Sequence, residues 1–223
     1  MLYPFTTYMP YFHNDNIHLL LLHIPKTGGT SIDKYLSKKY EIPLERYKSF
    51  HSVHSHQFFE GISPQHQFYS TIKRNPQAFS VEWDDPKLQI VAPVRNPYHR
   101  VVSAMIFHAF ISAETSPVDF MDHLPRFTRA DWVDNHNVPQ YKFVTMDDET
   151  VAPEINIIKT ESLTSDMHNL GFNDFDLFIN KCSEPHRDYM TYFNDAGLAF
   201  MNDFYKKDFE LFGYDMIWSS PEK

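Results

Sequence analysis

Two short segments and one run of histidines carry residue types that do chemistry. The first, Pro25-Lys26-Thr27-Gly28-Gly29-Thr30-Ser31, combines two glycines, a lysine and three hydroxyls. Gly28 and Gly29 allow close main-chain approach, Lys26 supplies a point charge, and Thr27, Thr30 and Ser31 surround the point where a helix would start. Bare N–H groups and a positive dipole end at such a point suit a phosphate-like anion. The second segment places Arg95 eight residues before Ser103. A guanidinium offers a planar fork for bidentate phosphate binding, and a serine almost two turns into a helix lies about 100° from its apolar stripe, free to face a ligand. The histidines are His51, His54 and His56. An imidazole is a fitting general base near neutral pH. Zinc is the competing reading of three close histidines, but no cysteine is near and no carboxylate lies between 46 and 59, so no metal is expected.

Positioning these groups requires strands that end at the loops. Ile17 to Ile24 is a mostly unbroken apolar run of strand length, ended by Pro25, and Ile32, Tyr35 and Leu36 follow at helical spacing. Leu88 to Val94 repeats this grammar before Arg95, with Asn96 as N-cap, Pro97 at the first helical position, and Val102, Met105, Ile106, Ala109 and Phe110 as the buried stripe. Ile155–Ile158 reads as a third strand. Leu198, Met201, Tyr205, Phe209 and Phe212 read as a C-terminal helix closed by Gly213. Strands alternating with helices imply an α/β fold with a central, mainly parallel sheet flanked by helices. Residues 40–87 and 111–150, rich in His, Pro and aromatics, are expected to be excursions that shape a site.

Length and composition set the frame. A chain of 223 residues, 42% hydrophobic and 22% charged, excludes disordered and collagen-like classes and fits one domain over 1–223. A lone Cys182 forbids an internal disulfide and agrees with a reducing, cytoplasmic setting. With no apolar run of about 18 residues, no membrane partner is expected. The net charge of −9 argues against nucleic acid. Its distribution is uneven: residues 1–111 hold 11 Lys+Arg against 8 Asp+Glu, so an anion site belongs in that half.

His23-Ile-Pro-Lys-Thr-Gly-Gly-Thr-Ser-Ile32 resembles the 5′-phosphosulfate loop of the carbohydrate sulfotransferases that use 3′-phosphoadenosine 5′-phosphosulfate (PAPS), in the branch of the heparan and uronyl 2-O-sulfotransferases. Val94-Arg-Asn-Pro-Tyr-His-Arg-Val-Val-Ser103 is similar to the 3′-phosphate motif of the same family. Weaker likeness reaches Pro139-Gln140, Glu161, and Tyr205 to Tyr214. His54-Ser-His56 resembles the family's His-Gly-His segment, with Ser55 in place of glycine. This resemblance implies a P-loop NTPase-like three-layer fold and sulfuryl transfer from PAPS to a carbohydrate hydroxyl without a metal. Lys26 would stabilise the leaving bisphosphate, Lys26 to Ser31 with Arg95 and Ser103 would hold the donor, and His54, with His56 second, would be the base.

Two rivals stand beside that reading. A P-loop kinase or nucleotide hydrolase is disfavoured because Lys26 precedes both glycines, whereas a Walker lysine follows them. A nucleotide-binding module without acceptor chemistry would keep the loops and lack turnover. Lys73, Arg74 and Arg187 as anion contacts, and Phe58, Trp83 and Trp132 as sugar-stacking rings, are the weaker candidates.

Overall fold

The computed structural model describes residues 10–43, 62–176 and 188–220. Four strands form one open sheet in the order β1-β2-β3-β4. The first two, β1 (Tyr11–Asn14) and β2 (Ile17–Leu21), make an antiparallel hairpin. The others, β3 (Gln89–Val94) and β4 (Ile155–Lys159), continue parallel to β2, pairing Leu20 with Ile90 and Ile90 with Ile155. The three parallel strands are those that the apolar runs predict. The edge strand β1 is an addition. Its two-residue loop, Asp15-Asn16, contains no glycine and no positive φ, so the usual hairpin signature is missing.

Alternation along the strands divides the core between the sheet's two faces. Leu19, Leu21 and Val91 pack with Ile32 and Leu36 of α1 (Gly29–Lys39). On the opposite face Leu20, Ile90 and Ala92 meet Tyr69 and Ile72 of α2 (Tyr69–Arg74), which is followed by the single turn α3 (Pro76–Phe79). Beyond β3 comes α4 (Pro97–Phe107), whose Asn96 side chain accepts from the Tyr98 N–H as the N-cap and whose Pro97 opens the first turn. It buries Val101, Val102, Ala104 and Met105. Ile106 is 38% exposed, and Ala109 and Phe110 lie past the helix end, so the expected stripe is shorter and rotated by one residue.

Residues 111–150 are more regular than the sequence suggested, since they contain α5 (Pro117–Thr128) and α6 (Tyr141–Val144). After β4, α7 (Leu163–Asn169) joins α1 on its face through Leu163 and Met167. The C-terminal helix is in fact two, α8 (Asp195–Phe204) and α9 (Lys206–Phe212), hinged at Tyr205 and closed by Gly213 at φ 63°. Tyr205 leaves helical geometry and donates its hydroxyl to the Asn137 carbonyl at 2.8 Å, while Leu198, Met201, Phe209 and Phe212 stay buried as expected. Among the described residues no helix is long and apolar enough to cross a membrane.

Candidate functional site

The carboxyl ends of β2, β3 and β4 converge, and open α/β sheets bind ligands at that edge. After β2 the loop turns through two left-handed residues, Lys26 at φ 68° and Gly28 at φ 89°. A side chain at Gly28 would be strained by that φ and would press on Leu163 Cδ2 at 3.3 Å. At Gly29 the requirement is space: a Cβ there would lie 2.6 Å from the His23 ring. His23 in turn faces Asp33 of α1, Nδ1 to Oδ2 3.0 Å, with both side chains buried. The loop is thereby seated on its own helix.

Lys26, Gly28 and Thr30 keep partial exposure, whereas Thr27 and Ser31 are buried. The Thr27 hydroxyl is committed to the Ile24 carbonyl at 2.8 Å, so this member of the expected anion set faces inward. The Thr160 hydroxyl, just past β4, lies 2.6 Å from the Thr27 carbonyl and 3.0 Å from that of Val94, tying three strand ends together.

Arg95 follows β3 directly. Its Nη1 donates to the Lys26 carbonyl at 3.3 Å, and its Nη2 donates to the Tyr189 hydroxyl at 3.3 Å, with the Tyr189 ring 5.2 Å from the guanidinium carbon. Its backbone is clamped by Gln140, which accepts from the Arg95 N–H at 2.9 Å and donates to its carbonyl at 2.8 Å. Asp208 of α9 accepts the N–H groups of Gln140 and Tyr141, each at 2.8 Å. Burial pushes the Asp208 carboxyl up, opposed by these bonds and by Arg100. Glu161 accepts from the Asn96 N–H at 2.8 Å and from the Tyr214 hydroxyl at 2.9 Å. The segments around Gln140, Glu161 and Tyr205 to Tyr214 thus form the shell that fixes Arg95. Ser103 is half-buried on α4.

A group that the sequence reading missed lies beside this loop. His66 Nδ1 is 2.7 Å from Asp134 Oδ2, and Asp134 also accepts from the Ser63 N–H at 2.7 Å and the Ser63 hydroxyl at 2.9 Å. Burial pushes His66 down, outweighing Asp134. Burial acts to raise Asp134, but the bonds from His66 and Ser63 outweigh it and hold the carboxylate low. Burial thus favours the neutral imidazole, and the hydrogen bonds favour the ionised carboxylate that faces its Nδ1.

From His66 a chain of rings runs outward. Its ring centroid lies 5.4 Å from that of His23 and 5.0 Å from that of His136, and His136 lies 4.5 Å from His108. His136 stacks on Phe107, and Lys26 Nζ lies 4.4 Å from the Phe107 ring centre. Burial, then the charges of His66 and His108, drive His136 down to about 3. Burial and then Lys26 lower His108, whose buried Nε2 has no hydrogen-bond partner among the described residues.

Arg100, 1% exposed, holds this region from below. It donates to the carbonyls of Pro25 at 3.0 Å and Val138 at 2.9 Å, and its Nη2 has no hydrogen-bond partner among the described residues. A buried arginine and Lys26 make the surroundings electropositive. His66, Asp134 and His136 each offer a ligating atom within 4.8 Å of the others, but Asp134 is already saturated and both cations oppose a metal there.

His51, His54, His56, Phe58, Cys182 and Arg187 lie outside the described residues. Of the other candidates, Arg74 pairs with Asp147 and Lys73 sits 4.2 Å from the Trp83 ring centre, both away from the loop. Trp132 is 63% exposed and its ring is 5.7 Å from that of His108. The signal for His66 was a lone histidine in an irregular stretch, and that for Arg100 a charge inside a helix that otherwise reads as packed. No protein-family model, no curated protein and no solved structure matches the chain.

Proposed function

We propose that the chain is a PAPS-dependent sulfotransferase of P-loop NTPase-like architecture, moving a sulfuryl group to a carbohydrate hydroxyl. The observation that carries this reading is the hydrogen bond from Arg95 to the Lys26 carbonyl, which joins two motifs 69 residues apart at the carboxyl ends of adjacent parallel strands. An anion on the loop and a second phosphate at Arg95 and Ser103 suit a bisphosphorylated nucleotide. In the transfer, the acceptor oxygen forms a bond to sulfur as the sulfur–oxygen bond to the donor phosphate breaks. Lys26 balances charge on the leaving phosphate, and a histidine takes the acceptor proton.

His54 and His56 are the bases expected from the sequence. Among the described residues His66 is the candidate that a carboxylate orients, through Nδ1 at 2.7 Å from Asp134. The exposed ring of Phe107 borders Lys26, that of Trp132 borders His108, and both offer flat faces to a sugar.

Calorimetry with adenosine 3′,5′-bisphosphate tests the donor site, and affinity no better than for AMP would sink the proposal. Labelled PAPS with a glycan panel tests the transfer. Binding without sulfation of any member makes the chain a nucleotide-binding module, and magnesium-dependent ATP turnover makes it a kinase-like enzyme.

A further inference from the structure

A second histidine–carboxylate cluster lies at the opposite end of the sheet and is not used by the proposed reaction. His13 and His18 are direct cross-strand partners in the β1–β2 hairpin, and their ring centroids are 4.4 Å apart. Asp85, in the segment before β3, places Oδ2 2.7 Å from His18 Nδ1, and Glu82 Oε1 lies 3.6 Å from His13 Nδ1. We propose that His13, His18 and Asp85, with Glu82 beside them, bind one divalent transition-metal ion of the zinc class, fastening the edge hairpin to the 82–85 segment.

The ligating atoms of His13, His18 and Asp85 all lie within 4.8 Å of one another. In a tetrahedral site with bonds of about 2.0–2.2 Å, ligand atoms sit roughly 3.3 Å apart, so the His18–Asp85 contact opens by about half an ångström and His13 closes on the pair by side-chain rotation. Its exposure allows that rotation. The carboxylate is prepared: the Lys87 N–H holds Asp85 Oδ1 at 2.9 Å, leaving Oδ2 toward His18.

His18 has the outer partner that metal-bound histidines use. Tyr11 Oη is 2.7 Å from Nε2 and itself accepts the Glu82 N–H at 3.1 Å. With the ring proton on Nε2 and donated to Tyr11, the Nδ1 lone pair faces Asp85, and the cation takes the place that a proton holds between them.

Charge favours the ion here and opposes it at His66. Glu82 and Asp85 flank the histidines, with Lys87 the nearby cation, and the exposed His13 opens the cluster to solvent. Two imidazoles and two carboxylates are a donor set for zinc, rather than for calcium or magnesium.

The test is a cobalt(II) titration of chelator-treated full-length protein, followed by visible absorption, with zinc as competitor. One equivalent that develops ligand-field bands and is displaced by one equivalent of zinc is expected. His13→Ala, at an exposed position, should weaken binding at least about tenfold with an unchanged circular dichroism spectrum, and Tyr11→Phe should weaken it about 10–100-fold. His136→Gln should leave it intact. Absence of stoichiometric binding, unchanged affinity in His13→Ala, or loss in His136→Gln would each overturn the proposal. Zinc should also raise the melting temperature of the parent protein and not of His13→Ala.

Discussion

The two ends of the sheet are built from the same residue types in different charge surroundings. At each, a histidine Nδ1 sits 2.7 Å from an aspartate, with a second histidine ring 4.4–5.0 Å away. At the carboxyl end the pair is buried, its aspartate is saturated by Ser63, and the neighbouring charges are Lys26 and Arg100. At the amino end the cluster opens to solvent through His13, and its neighbouring charges are Glu82 and Lys87. A histidine–aspartate contact does not announce its chemistry. Surrounding charge decides whether it suits an anion and a proton or a cation, and strand polarity decides which end has a helix N-terminus to offer.

The sharpest break of this comparison is His66→Ala. If His66 is the base, turnover at saturating donor should fall roughly 10²–10⁴-fold while binding of adenosine 3′,5′-bisphosphate is kept. His54→Ala is the companion measurement, and a full loss there with His66→Ala near normal would return the base to the sequence's choice. The matching substitution at the other end, His18→Ala, should be read in melting temperature, because it strips a buried ring of partners on β1 and before β3.

Arg95→Ala comes next. Losing charge-assisted hydrogen bonds to a phosphate should weaken bisphosphate binding by about 2 kcal/mol, roughly thirtyfold, measured by calorimetry. Gln140→Ala should give part of that loss, since it frees the Arg95 backbone without touching the guanidinium. Equal affinity in both variants would separate Arg95 from the donor.

What the sequence disclosed about these ends follows from the range of the interactions. The loop at 25–31, the Arg95 turn and the three parallel strands are local patterns, and each stands where the periodicity put it. The shell around Arg95 was not legible, because Gln140 and Glu161 reach that turn across 45 and 65 positions. His66 with Asp134 and His18 with Asp85 are joined across 68 and 67 positions, so no local pattern marks them. Arg100 was hidden because an arginine in a helix reads as solvated, whereas here it serves two loop carbonyls. The single C-terminal helix divides at Tyr205, whose hydroxyl donates to the distant Asn137 carbonyl.

Acid should destabilise the protein through His136, at the carboxyl end of the sheet. His136 is held neutral, at about 3 against the ordinary 6.5, by burial and by neighbouring positive groups. Between those values the unfolded chain binds the proton and the native chain does not, so stability falls as pH drops through that window. One such group contributes at most about 1.4 kcal/mol per pH unit. His136→Phe keeps a ring on Phe107 and removes the titration, so its denaturant midpoint should fall less steeply from pH 6.5 toward 4 than the parent's. Parallel slopes would mean that other groups govern the acid limb.

The smallest effect belongs to the amino end without metal. Tyr11→Phe deletes one hydroxyl that meets His18 Nε2 at 2.7 Å and the Glu82 N–H at 3.1 Å. The Glu82 amide is exposed and turns to water, so the cost is essentially one hydrogen bond to a buried ring nitrogen, about 1 kcal/mol. For a chain of this size that is roughly 2–4 °C in melting temperature. Added zinc should widen the gap, because the parent gains an ion that the variant holds weakly. A gap that zinc leaves unchanged would make the cluster a hydrogen-bonded latch, and the two ends would then differ in charge and exposure but not in ligand.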